Sequence, residues 1–384
     1  MHIDTSYVTR TLAELVRINS INPAFSNGRT NESAIAAHTS DVMGTLGMEV
    51  LAREPEPGRV SVVGRLRGRG GGRSLLLYAH YDTVGIEGMA DPFSGAVHDG
   101  RLYGRGAYDM KCGLAACLGA VQAIRDAGRV LDGDLHVAAV ADEEVASIGM
   151  SDLLTAVRAD AAIVTEPTEL AVCTAHKGFV WLEVDIQGRA AHGSRYDLGI
   201  DANMRMGRFL GRLDELEQSL RARAPHPKLG TPSLHAAVLQ GGTGTSTYAA
   251  QSRLEIERRT LPDESPEGVL SEISAITDAL AARDPSFQAS VRTMLARPGF
   301  EIGDDRPIVQ AIRRHARDVL GHAPADMGAW YWMDAALLAG AGIDTVVLGP
   351  AGEGAHAAVE WVDLDSVMKT AGILARTAVE FCGT

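Results

Sequence analysis

The strongest constraint on the fold is a rhythm of short, continuous apolar runs alternating with stretches of helical spacing. Leu75–Ala79, Leu135–Val140 and Ala161–Val164 read as buried strands, with helices over Cys112–Ala127 and Ser151–Arg158 between them. Strands that alternate with helices predict an α/β domain with a mostly parallel sheet. Upstream, Tyr7–Arg17 and Glu32–Leu46 have helical apolar spacing, and Val60–Val63 is strand-like. After Glu166 the pattern changes. Phe179–Ile186 alternates as a strand, Ala202–Arg221 is a long helix, Leu234–Leu239 and Arg253–Arg259 are strands, Pro266–Ala282 is a helix and Phe287–Leu295 a last strand. That order is the split βαβ, ferredoxin-like α+β arrangement. Pro307–Leu320, Ala335–Ala341, Thr345–Leu348 and Ser366–Phe381 return to the first style. The expectation is a discontinuous domain, residues 1–175 and 293–384, interrupted by an inserted one, residues 176–292.

With 384 residues, two domains are the natural expectation, since single cores stop growing near about 250–300 residues. The 36 Lys+Arg and 49 Asp+Glu leave a formal charge of −13, which argues against nucleic acid, whose phosphates need clustered cations. No apolar run approaches the ~18 residues of a membrane span, and Met1-His2-Ile3-Asp4 opens no leader, so the expectation is a cytoplasmic protein with no membrane partner. The cysteines Cys112, Cys117, Cys173 and Cys382 are scattered and read as free thiols. The glycine-rich Gly68–Arg73 lacks the Gly-Lys-Ser/Thr ending of a phosphate-binding loop and reads as a solvated hairpin turn.

Five places just past apolar strands, where open α/β sheets hold ligands, carry imidazole or carboxylate groups. In Leu75-Leu-Leu-Tyr-Ala-His80-Tyr-Asp82, a period of two puts His80 and Asp82 on one side, so Asp82 can accept from one ring nitrogen while the other meets a metal. Alone, that spacing is more often an accident. Asp109, in Gly104-Arg-Gly-Ala-Tyr-Asp109-Met-Lys, is either a ligand or a helix cap. Asp142-Glu143-Glu144 ends an apolar strand; adjacent side chains diverge, so one Glu can coordinate while its neighbour faces a water. A surface acidic run is the alternative. Glu166 and His356 are, taken singly, a loop carboxylate and a loop histidine. The sum decides: His80, Asp109, Glu144, Glu166 and His356 are too many ligands for one catalytic zinc and suit two divalent ions, Zn with Co or Mn as alternatives, if one carboxylate bridges.

These residues, in this order, resemble the dinuclear zinc amidohydrolases and metallopeptidases that include acetylornithine deacetylase, succinyl-diaminopimelate desuccinylase, aminoacylase and carboxypeptidase G. The resemblance spans nearly the whole chain and implies a zinc-peptidase catalytic domain with an inserted lid and dimerisation domain, hence a homodimer. It implies that His80 and Glu166 hold one metal, Glu144 and His356 the other, and that Asp109 bridges. Glu143 matches the general base and Asp82 the partner of His80. His192, in Gly188-Arg-Ala-Ala-His192-Gly-Ser, matches a histidine that reaches the partner subunit's site and stabilises the tetrahedral intermediate; Arg259 matches an arginine that binds the substrate carboxylate. Cys112, Ala146, Asp201, the Gly241–Tyr248 segment and Trp332-Met333-Asp334 depart from the commoner pattern where substrate would be read.

The resulting expectation is hydrolysis of the amide of an N-acyl-amino acid by a di-metal-activated water with Glu143 as base, acetylornithine deacetylase-like. A desuccinylase or a carboxypeptidase or dipeptidase of the same family is the alternative. An inactive binding protein fits poorly with a complete ligand set, and a nicotinamide-dependent dehydrogenase lacks its Gly-x-Gly-x-x-Gly.

Overall fold

The computed structural model describes residues 1–383. The chain divides into two compact units. The larger comprises Met1–Thr174, Ile302–Met327 and Met333–Thr384, and the smaller Ala175–Glu301 with Gly328–Trp332.

The larger unit carries a mixed sheet in the order Glu49–Arg53, Ser61–Leu66, Leu135–Val140, Leu75–His80, Ala161–Val164, Asp344–Val347, Val172–His176. Four central strands are parallel: Leu75–His80 pairs in parallel with both Leu135–Val140 and Ala161–Val164, and Asp344–Val347 with Ala161–Val164. These strands are buried on both faces, which is why their sequences run continuously apolar instead of alternating. The flanking pairs are antiparallel. Because the central strands share a direction, their carboxyl ends lie along one edge. The helix Lys111–Asp126 packs on this sheet with Leu364–Cys382 and Thr5–Arg17 against it.

The Gly68–Arg73 segment is not a hairpin turn. The strands on either side of it are separated by Leu135–Val140, which lies between them in the sheet. Two of its glycines lie against backbone: a Cβ on Gly68 would fall 2.5 Å from the Asp132 and Gly133 carbonyl oxygens, and one on Gly72 2.0 Å from that of Cys382, whereas Gly70 and Gly71 lie in the open with φ of +98° and +95°. Close approach, not a two-residue turn, is what this glycine run permits.

The smaller unit is a four-stranded antiparallel sheet, ordered Ser233–Gly241, Gln251–Thr260, Gly178–Gln187, Gln288–Arg297, with helices Ala202–Arg221 and Pro266–Arg283. Its own core is formed by Leu182, Val184, Phe209, Leu254, Ile256 and Ile273 among others. In Gln251–Thr260 burial alternates strictly, so Ser252, Leu254, Ile256, Arg258 and Thr260 point inward and Arg259 outward. Asp201 and Ser265 cap the two helices through their side chains. Among the described residues no helix is long and apolar enough to cross a membrane. All four cysteines are buried and none forms a disulfide.

Candidate metal centre

At the carboxyl edge of the parallel strands, two groups of side chains converge. His80, Asp109 and Glu166 form one and Asp109, Glu144 and His356 the other, with ligand atoms in each group within 4.8 Å of one another. His80 Nε2 lies 3.4 Å from Asp109 Oδ1 and 3.5 Å from Glu166 Oε1. His356 Nε2 lies 3.3 Å from Asp109 Oδ2 and 3.1 Å from Glu144 Oε2. Asp109 thus offers one oxygen to each group. It does not cap the following helix, whose N-cap is Met110 without a side-chain bond.

The backbone explains the convergence. His80 ends its strand in register with Val140, and Tyr78 pairs with Val164, so the segments leaving all three strands emerge side by side. His356 comes from the loop after Asp344–Val347 and has φ +61°, a conformation that a non-glycine residue holds only when its surroundings demand it. Asp82, fully buried, has Oδ1 3.5 Å from His80 Nδ1 and accepts from the Glu143 N–H (3.1 Å) and the Glu144 N–H (3.3 Å). It therefore ties the ring to the acidic turn. Glu143 itself points into the site, Oε2 3.9 Å from His80 Nε2.

Two further groups were not among the expected site residues: Glu360, which no motif marked, and Asp334, noted only as part of Trp332-Met333-Asp334. Glu360, buried, accepts from the Tyr108 and Asp109 N–H groups at Oε1 (2.9 and 3.0 Å) and from Arg105 Nη1 and the Gly106 N–H at Oε2 (2.7 and 3.1 Å). Arg105 also donates to the Ala357 carbonyl (3.0 Å), so this pair joins the Asp109 turn to the His356 loop. Short strands Arg101–Tyr103 and Trp361–Asp363 pair just beyond them. Asp334, fully buried, accepts from the Tyr78 hydroxyl at 2.5 Å.

The donor set fits divalent ions. Four carboxylates and two imidazoles share a small volume, and Glu144 Oε1 is buried with no hydrogen-bond partner, a costly state that a cation would relieve. The electrostatics without an ion say the same. Burial, with the neighbouring Asp109 and Glu144, pushes Glu166 up to about 8 against the pull of His80. Burial chiefly pushes Glu143 well above the carboxylate range. Hydrogen bonds to Asp109 and Glu144 raise His356 to about 10, and although burial opposes a charged ring, Glu166, Asp109 and Asp82 raise His80.

His192 and Arg259 belong to the smaller unit. His192 is exposed, its Nδ1 2.8 Å from the Ser194 hydroxyl. Arg259 pairs with Glu257 at 2.9 Å and stacks near Phe179. Its neighbour Arg258 is fully buried and ion-paired to Glu264.

An α/β sheet with carboxylates and imidazoles gathered at its carboxyl edge defines a hydrolase of the metallopeptidase and amidohydrolase class. Residues 76–380 match the model of the peptidase family M20/M25/M40, and the chain belongs to that family. It is 30% identical to an acetylornithine deacetylase from Myxococcus xanthus, covering 97% of each chain. It is 28% identical to an N-formyl-4-amino-5-aminomethyl-2-methylpyrimidine deformylase from Bacillus subtilis (strain 168), covering 92% of this chain and 90% of the other. Among solved structures, a tripeptidase from Staphylococcus aureus superposes with a TM-score of 0.81 at 22% identity over 99% of each chain. A dinuclear metal binding peptidase of the M20 family from Bacillus subtilis gives 0.76 at 18% identity, again over 99% of each.

Proposed function

We propose that this enzyme hydrolyses the amide bond of an N-acyl-amino acid, as an acetylornithine deacetylase-like deacylase, with two zinc ions. The observation that carries the reading is the pair of ligand groups sharing Asp109, with Glu143 beside them and free of either group. His80 and Glu166 would hold one ion, Glu144 and His356 the other, and Asp109 both. Two bound cations would polarise the scissile carbonyl and lower the pKa of an attacking water.

The chain's own residues do the rest. Glu143 accepts the proton of the attacking water and delivers it to the leaving amine, which needs a carboxylate held in place but not consumed as a ligand. Asp82 fixes the tautomer and direction of His80. Arg259, on the outward face of its strand, supplies a planar fork for the substrate carboxylate. His192 would stabilise the oxyanion of a partner subunit, which makes the inserted domain read from the sequence, residues 176–292, a lid and dimerisation domain of a homodimer. Four cysteines outside any disulfide suit a reducing cytoplasm.

The test is a deacylation panel with zinc or cobalt added: N-acetylornithine first, then formyl, succinyl and dipeptide substrates. Turnover of acyl-amino acids over dipeptides supports the reading, and exclusive dipeptide cleavage moves it to the peptidase alternative. Glu143→Ala should lower kcat by about 10²–10⁴-fold with two metals still bound per chain by emission spectrometry. Normal turnover in that variant removes Glu143 from the mechanism.

A further inference from the structure

Behind Glu143 and Glu144 lies a buried polar chain that the reaction itself does not touch. Arg59, only 6% exposed, sits between two carboxylates. Its Nη1 is 3.0 Å from Glu32 Oε1 and donates to Asn22 Oδ1 at 3.3 Å, and its Nη2 donates to Asp142 Oδ1. Asn22 Nδ2 in turn donates to Asp142 Oδ1 (2.9 Å) and to Asp82 Oδ2 (2.9 Å). Asp142 immediately precedes Glu143 and has φ +73°, a backbone state that a non-glycine residue keeps only when its surroundings over-determine it. Its carbonyl accepts from the Ala146 and Ser147 N–H groups (3.2 and 2.6 Å), and its Oδ2 from the Ile148 N–H at 3.3 Å.

We propose that Arg59, acting through Asp142 and Asn22, is a positioning residue that fixes the direction in which the chain presents Glu143 and Glu144. The proposal rests on the metal-centre reading above. A stabilising role alone would be poorly served by this arrangement, because buried ion pairs are commonly no better than apolar residues of equal volume. A planar fork that donates from one nitrogen to Asn22 and from the other to Asp142 does give geometric definition, which a point charge on a flexible stem does not. The chain meets the two sides of the site unequally: it touches Asp142, next to Glu143, directly, and the His80 ring only at a further remove, through Asn22 and Asp82. Arg59 reaches the strained residue before Glu143 and Glu144, whereas nothing links it directly to Asp109, Glu166 or His356.

That asymmetry supplies the test. Metal-free wild type, Arg59→Lys and His356→Ala are titrated with Co²⁺ alone, and kcat and KM are measured on the best substrate of the panel. Glu32→Gln/Arg59→Met, which removes the cation together with one of its buried carboxylates, replaces Arg59→Lys if that variant does not fold. Arg59→Lys should weaken one Co²⁺ site about 10- to 100-fold, the same site that His356→Ala abolishes, and weaken the other, reached only through Asn22 and Asp82, several-fold less. It should lower kcat about 10- to 100-fold, with KM within about threefold, as expected for a misplaced base. Equal weakening of both sites, or of neither, overturns the proposal. If the wild type turns over no panel substrate, the deacylase reading fails while the Co²⁺ titration still decides the role of Arg59.

Discussion

Glu360 shows how much of a metal centre's geometry lies outside its ligands. Both its oxygens accept two donors each, and those donors are the backbone of the Asp109 turn and the Arg105 guanidinium. Glu360→Gln keeps the shape but turns an amide N–H₂ toward two donors. The buried mismatch should destabilise the fold by about 1–3 kcal/mol. By loosening Asp109, it should also weaken metal binding about 10- to 100-fold, checked by zinc titration of the metal-free protein. Unchanged zinc affinity would reduce the Arg105–Glu360 pair to a structural tie. Arg258 and Arg259 make the complementary point: adjacent and chemically identical, they are separated by strand alternation into a buried ion pair and an outward-facing fork.

Among the elements, those with a continuous apolar run or clear helical spacing were legible in the sequence, and the rest were not. Leu75–His80, Leu135–Val140 and Ala161–Val164 are buried throughout or nearly so, and their ends carry His80, Glu144 and Glu166. The edge strand Glu49–Arg53 is almost wholly exposed, so no apolar pattern announced it. The Gly68–Arg73 misreading has a related cause: glycine content signals backbone freedom but not which backbone comes close. Residues behind the ligands were harder still. Arg105 and Glu360 meet across 255 positions, and Asn22 and Asp142 across 120, from loops without periodicity. Cap chemistry gives a prediction at this level. The Ser265 hydroxyl accepts from the Gly268 N–H at 3.1 Å at the start of Pro266–Arg283. Ser265→Ala should cost about 0.5–2 kcal/mol in urea unfolding while leaving zinc affinity unchanged, because the helix belongs to the smaller unit's own core.

For the molecule as a whole, the −13 charge means something different at the centre than at the surface. Exposed acids are screened over about 8 Å, but the buried group of Asp109, Glu143, Glu144 and Glu166 must be neutralised locally. In metal-free protein, protons do that work, and the sign of the pH dependence follows. The folded pKa of His356, raised to about 10, exceeds its ordinary value near 6.5, so its contribution is complete below that value and lost as pH rises toward 10. Glu166, raised to about 8, binds its proton more tightly folded than unfolded, so it too withdraws stability as pH rises from about 4.5 to 8. Divalent ions need the same groups deprotonated, and their affinity climbs over this range. An ion that binds only the folded chain at 100 times its Kd adds about 2.7 kcal/mol. The stability gap between zinc-loaded and chelator-treated protein should therefore widen steadily from pH 6 to pH 9. Calorimetric melting at four or five pH values, with zinc and with chelator, measures it directly. His356→Ala should shrink the gap at every pH, since it removes both a ligand and one of the proton-binding groups. A gap that stays constant or narrows with rising pH would mean that these clustered carboxylates and imidazoles are not what the metal binds.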